Sequence, residues 1–317
     1  MREKYDIIVV GGGAAGLAAA LFAARQKRTT IVIAPDIGGQ IATTDKVENY
    51  LGLTHETGPG LVARFYEHLK QRDTEFLFEP VIALQKEDDG FLVETPSGFL
   101  HGRAVILAFG RTPRRLEVPG ERELTGKGVS YSAVLDGDQF KGKPVAVVGG
   151  GNAAVEAAAF LNARCPKVYL IHRSAEFRAD TEALERLAAC KRVTLVLGRT
   201  VRSIEGATQV EHVVVAPTDE LVPEEMLKVS ALFIQAGSAT NTTWLQEDMV
   251  DKTTRGEIVT DRNCCTKTPG VFAAGDITDI DYKQIQISAG EGVKAALQAA
   301  KYLAGLEGRR MPLLDWS

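Results

Sequence analysis

Unbroken apolar runs, each closed by glycines and followed by an alanine-rich stretch, recur along this chain. Tyr5–Val10 carries Ile7-Ile-Val-Val10 without the alternation of a half-exposed strand, and so reads as a strand buried on both faces. Gly11-Gly12-Gly13-Ala14-Ala15-Gly16 closes it, Leu17–Arg25 has strong helix propensity, and Thr29–Ile33 is a second strand. The order returns further on. Pro144–Val148 is a strand, Gly149-Gly150-Gly151-Asn152-Ala153-Ala154 a turn, Val155–Leu161 a helix and Lys167–Ile171 the next strand. A third apolar run, Val271–Ala274, ends in Gly275-Asp276, and a last helix is expected over roughly Ala289–Leu303.

The turns carry the chemistry. G-x-G-x-x-G between a buried strand and a helix lets the backbone turn tightly, so that N–H groups and the helix N-terminus approach a pyrophosphate. Gly11, Gly13, Ala14, Ala15 and Gly16 are the candidates in the first unit. Gly149, Gly151, Asn152, Ala153 and Ala154 are those in the second, whose G-x-G-x-x-A spacing is a variant common at nicotinamide sites. Two such units imply two nucleotides, and the chemically sensible pair is FAD with NAD(P)H. A single-domain dehydrogenase needs only one. After its second strand the second unit offers His172, Arg173 and Arg178 where an NAD site usually has an acid. Cations there favour the 2′-phosphate of NADPH, although surface charge at a strand end is the plainer alternative. Asp276, beyond a strand's carboxyl end, is placed either to bind a ligand or to cap a helix.

Bulk properties narrow the classes. The chain has 317 residues, 45% hydrophobic and 25% charged, which suits about two globular domains. A net charge of −4 without a long basic run argues against nucleic acid as a partner. The run at Ile7–Val10 is too short for a signal core, and no stretch approaches a membrane span. Cys165, Cys190, Cys264 and Cys265 form neither a CxxC nor a disulfide framework, so a reducing cytoplasm is expected. No metal site is expected.

Beyond the two units the chain resembles the low-molecular-weight thioredoxin reductase family, which includes the flavoprotein component of alkyl hydroperoxide reductase. Gly38-Gly39-Gln40, Val47–Gly52, Ile106–Gly110, Gly270–Asp276 and Tyr282–Ile285 carry the likeness, from Tyr5 to about Leu306. Phe109 departs from the family's Ala-Thr-Gly turn, and Ser174 replaces the middle arginine of a His-Arg-Arg motif. The resemblance implies an α/β protein of two Rossmann-like three-layer nucleotide-binding domains. The NADPH domain (residues 115–244) would be inserted in an FAD domain (1–114 and 245–317), with hinge connections near 111–119 and 237–245 that allow domain rotation. It adds Gly39, Gln40, Asn49, Val81, Ala108, Gly110, Gly275, Asp276, Gln284 and Ile285 to the FAD contacts, adds Gly237 to the NADPH contacts, and implies a homodimer.

One departure matters most. Where the family carries Cys-Ala-Thr-Cys, this chain reads Ser132-Ala133-Val134-Leu135. Thiol exchange needs an attacking thiolate and a resolving sulfur. Only Asp136, at the position of the family's general acid, remains, and it also suits an Asp-Gly turn. Electrons are therefore expected to leave the flavin directly for a small molecule or small redox protein: ferredoxin or flavodoxin, a quinone, a ferric chelate or a small disulfide. No side chain is assigned as catalytic. A catalytically quiet flavoprotein sensor, and a reductase charged by ferredoxin instead of NADPH, are the alternatives. Cys264-Cys265 is a further candidate relay. Trp316 could stack on a flavin, and Arg111, Arg114, Arg115, Arg309 and Arg310 could steer an acidic carrier.

Overall fold

A computed structural model describes residues 4–44, 46–217 and 223–309. Trp316 and Arg310 lie outside the described residues. The chain divides into two compact units, one running to Arg111 and resuming at Thr240, the other Thr112–Ala239.

The first unit opens with β1 (Lys4–Val10), α1 (Ala14–Arg25) and β2 (Thr30–Ile33), then α2 (Gly58–Lys70) and β3 (Thr74–Leu77). An antiparallel meander follows: β4 (Ala83–Glu87), β5 (Gly90–Thr95) and the long β6 (Gly98–Leu107). The second unit begins with β7 (Thr112–Pro113), β8 (Val129–Ser130) and one turn of helix, α3 (Ala133–Asp136). It continues through β9 (Val145–Val148), α4 (Asn152–Asn162), β10 (Val168–His172), α5 (Thr181–Ala188) and β11 (Val193–Leu197). β12 (Arg199–Glu205), β13 (His212–Pro217) and β14 (Glu225–Lys228) form a separate antiparallel sheet, and β15 (Leu232–Ile234) and β16 (Ser238–Ala239) close the unit. β17 (Val271–Ala273) and α6 (Ile285–Leu306) return to the first unit.

In the first unit β3, β2, β1 and β6 run parallel in that order. Ten residues let β6 serve two partners on its far side. Gly98–Gly102 pairs antiparallel with β5, and Val105–Leu107 pairs parallel with β17. The carboxyl ends of β1, β2, β6 and β17 thus lie along one edge, where open α/β sheets bind ligands. One face buries Ile7, Val9, Ile106 and Phe272 against Ala19, Ala20 and Ala23 of α1 and Ala295, Ala296 and Ala299 of α6. The other buries Ile8, Ile31, Val105 and Val271 against Phe91 and Val93 of the meander and Leu245 and Ile258 beyond it. The result is three layers.

The second unit repeats the plan with sheet order β11-β10-β9-β15-β8, all parallel. Val145, Val147, Leu170 and Phe233 pack under α4 and α5, while Ala146, Val148 and Ile171 face Val213, Val215 and Leu227 of the small sheet. Where the chain enters and leaves this unit, β7 pairs antiparallel with β16. No helix among the described residues is long and apolar enough to cross a membrane.

Candidate functional site

The first glycine turn is shaped by contact on three sides and open on the fourth. Gly11 has φ +121°, and a methyl group there would lie 2.2 Å from Ala108 O. One on Gly16 would lie 1.9 Å from Gly11 O, so α1 presses directly on the strand end. Gly11 N–H donates to Ile33 O and Ala108 N–H to Val10 O, both at 2.8 Å, which binds the turn to β2 and β6. Gly13 differs, because nothing lies within 4 Å of a methyl placed on it. It starts α1 with no side-chain cap and no acid in the first turn. By contrast α2 and α5 are capped by Thr57 and Asp180. The N-terminal N–H groups of α1 are thus left to solvent or to an anion, and the helix dipole favours an anion there. The turn therefore fits a pyrophosphate.

Other candidates for FAD gather at the same edge. Gly38 N–H donates to Gly12 O at 2.8 Å, and a methyl on Gly39 would lie 3.9 Å from Gly13 Cα. Gln40 Nε2 donates to Arg111 O at 3.3 Å, just past Gly110. Asn49 Nδ2 donates to Gln284 Oε1 at 3.0 Å, and Ile285 packs in the apolar cluster of Ala14, Ile41 and Val47. Val81 lies with Phe109 in the cluster containing Val10, Ile33 and Leu107. Phe109 packs edge-on against Trp244 at 5.0 Å, which accounts for an aromatic residue there. No helix starts at Asp276. Its Oδ1 accepts from Ser288 Oγ at 2.9 Å, so capping is not its role.

The second turn has the same design. A methyl on Gly149 would meet Gln235 O at 2.2 Å and Ala154 Cβ at 2.8 Å, while nothing lies near one on Gly151. α4 starts there without a side-chain cap or an acid in its first turn, and Ala153 is exposed at its beginning. The turn is also stapled to the segment before α5. Arg178 N–H donates to Gly150 O at 2.7 Å, Asp180 N–H donates to Asn152 Oδ1 at 2.9 Å, and Asn152 Nδ2 donates to the Asp180 carboxylate. The Asn152 side chain is thus committed within the protein. His172 lies beneath the turn, where its ring occupies the space of a side chain on Gly150. It stacks on Phe177 at 5.4 Å and 14°, and its Nε2 lies 3.1 Å from Glu176 O. Burial, with the charges of Arg178 and Arg173, lowers its pKa. The shift favours the neutral ring, which shapes the turn, while Arg173 and Arg178 supply exposed positive charge. Gly237 O accepts from Arg114 N–H at 2.9 Å where the strands at the two crossings pair.

At Ser132–Asp136 the polar side chains are engaged by neighbouring residues. Ser132 Oγ accepts from Leu135 N–H at 3.2 Å and caps α3. Ser130 Oγ lies 2.6 Å from Asp136 Oδ2, and Gln139 Nε2 donates to Asp136 Oδ1 at 3.2 Å. Leu135 is 53% exposed. All four cysteines are free thiols. Cys264 adopts φ +65°, its buried Sγ points to Glu291 O at 3.6 Å, and burial pushes its pKa up to about 12. Burial also raises Cys265. Both shifts disfavour the thiolate that a relay at neutral pH needs.

The family model for pyridine nucleotide-disulphide oxidoreductases matches residues 5–300. The chain belongs to that family. It is 38% identical over 303 residues to an NADH dehydrogenase of Bacillus subtilis (strain 168), covering 95% of this chain and 59% of the relative. It is 37% identical over 306 residues to an alkyl hydroperoxide reductase component of Staphylococcus aureus (strain Mu50 / ATCC 700699), covering 95% and 60%. The chain thus spans about three fifths of the length of these curated relatives. Among solved structures, thioredoxin reductase of Lactococcus lactis in the FR conformation superposes with a TM-score of 0.87, at 30% identity over 95% of this chain and 99% of that one. The family's cofactors are FAD and NAD(P)H, and two open glycine turns at helix starts suit two dinucleotides. No sequence signal marked Ser288, Glu291, Glu257 or Asp180 among the members of these sites. Glu257, buried, meets Lys283 Nζ at 3.3 Å and Arg111 Nη1 at 3.5 Å, joining two segments that flank the first turn.

Proposed function

We propose that this oxidoreductase takes reducing equivalents from NAD(P)H on FAD and delivers them from the flavin to an acceptor other than thioredoxin. The carrying observation is Ser132–Leu135, which holds no sulfur and whose Ser132 is engaged as a helix cap. In this reading the first unit holds FAD through the open start of α1, with Asp276, Asn49 and Gln284 nearby. The second holds the nicotinamide nucleotide at the start of α4. The flavin supplies acceptance of hydride and release of electrons. The protein's share is to bind both nucleotides, orient them and exclude water. Arg173 and Arg178, with no acid at the end of β10, support NADPH as the donor. Free cysteines suit a reducing compartment such as the cytoplasm.

The test is anaerobic mixing of the FAD-loaded chain with NADPH or NADH, followed by acceptors in turn: ferredoxin, flavodoxin, quinone, ferric chelate, small disulfide and thioredoxin. Rapid bleaching of the flavin band, faster with NADPH, and recolouring by an acceptor other than thioredoxin are expected. Thioredoxin-coupled turnover at rates typical of disulfide-bearing reductases would overturn the proposal. So would a flavin that neither nicotinamide bleaches, which is the behaviour of a sensor or a ferredoxin-charged enzyme.

A further inference from the structure

α6 carries two buried polar side chains one helical turn apart, Ser288 and Glu291, at 8% and 6% exposure. Both reach the same short loop after β17. Ser288 Oγ donates to Asp276 Oδ1 at 2.9 Å, and Glu291 Oε2 accepts from Gly275 N–H at 3.0 Å. The Thr278 hydroxyl lies 3.3 Å from Glu291 Oε2 and 2.9 Å from Gly275 O. On its other side the loop abuts α1. A methyl on Gly275, where φ is +82°, would lie 2.9 Å from Ala15 Cβ, and one on Gly292 would lie 2.0 Å from Ala15 O. A buried carboxylate costs several kcal/mol unless its oxygens are answered. Glu291 answers them with the loop and with Lys294 Nζ, 3.8 Å from its Oε1. The same helix therefore fixes both the carboxylate of Asp276 and the first turn of α1.

We infer that Ser288 and Glu291 are positioning residues for FAD. They hold the Asp276 carboxylate and the open N–H groups of α1 at a set spacing, so that both engage one cofactor molecule. Ser288 occupies Oδ1 of Asp276 and leaves Oδ2 to accept from the cofactor. A carboxylate turned instead toward a pyrophosphate would repel it, so its orientation decides the sign of its contribution. The inference rests on the FAD reading of the first unit.

A double-mutant cycle on the full-length protein tests it, with FAD affinity read by flavin fluorescence and the melting temperature of the flavin-free chain read alongside. Asp276→Ala is expected to weaken FAD binding. Ser288→Ala should weaken it about tenfold, as for loss of one hydrogen bond to a charged group. In the Asp276→Ala background it should have no further effect. Glu291→Ala should weaken FAD, and Glu291→Gln, which keeps an acceptor for Gly275 N–H, should restore it. Additive losses for Ser288→Ala and Asp276→Ala would overturn the inference, as would losses matched by a lower melting temperature of the flavin-free chain. If Asp276→Ala leaves FAD affinity unchanged while FAD still binds, the inference fails with the FAD assignment intact. If neither Asp276→Ala nor Gly13→Ala affects FAD, the assignment of the first unit itself fails.

Discussion

Glu307 ends α6, where a negative charge opposes the helix dipole, and it is held by arginines instead. Arg28 meets it with Nη1 at 2.8 Å and Nη2 at 3.2 Å, and Arg103 Nη1 lies 2.7 Å from it and 2.9 Å from Asp6. One side chain thereby ties the end of the last helix to β1, to β6 and to the loop after α1. Those bonds, the Arg28 pair foremost, lower its pKa to about 2. The folded pKa is depressed, so this stabilisation is complete above the ordinary carboxylate range and is lost as pH falls through about 2. Glu307→Gln is expected to lower stability at pH 7 by about 1–3 kcal/mol. In urea melts at stepped pH, the gap from the parent should shrink below pH ~4 as the parent's advantage titrates away. A gap independent of pH would show that the charge is irrelevant.

At the scale of elements, the helices divide by how they begin. α2 and α5 carry their own caps, whereas α1 and α4 begin on glycines facing open space. This division makes a sharp contrast between neighbouring glycines. Gly13 and Gly151 have extended backbone that alanine adopts freely. Gly13→Ala and Gly151→Ala should keep the melting temperature within about 2 °C, yet weaken FAD and NADPH respectively by about tenfold. Gly16→Ala, its methyl 1.9 Å from Gly11 O, should instead lower the melting temperature of the flavin-free chain. Calorimetry with nucleotide titration separates the two outcomes.

The same scale shows what was legible in the sequence. The buried parallel strands β1, β9 and β17 are continuous apolar runs ended by glycine, and their helices follow at once after β1 and β9. The meander and the small antiparallel sheet gave no comparable signal. β4 buries one residue and then exposes Gln85, Lys86 and Glu87, so its identity comes from pairing with β5, not from a local pattern. α6 starts at Ile285, earlier than its alanine-rich stretch suggests, because Gln284 accepts from Asn49 and leaves no capping signature. Ser288 and Glu291 stayed hidden for a related reason. Their partners lie 12 and 16 residues earlier across a chain reversal, a spacing with no motif. The turn glycines were legible because backbone geometry dictates the residue type.

At the scale of the whole molecule, the two units are built differently. The second is one uninterrupted stretch, Thr112–Ala239, whereas the first is assembled from two pieces and completed by β17 and α6. During synthesis the second unit can close before α6 has been made. The first unit must wait, with β6 lacking β17 as its parallel neighbour and α1 lacking the helix that covers it. A nascent chain stalled near residue 280 should therefore resist protease between about 112 and 239 yet retain no flavin. Capture of a cofactor at the start of α1 would then follow the emergence of α6, and scarcity of that cofactor would leave molecules with one half closed and the other still open to protease.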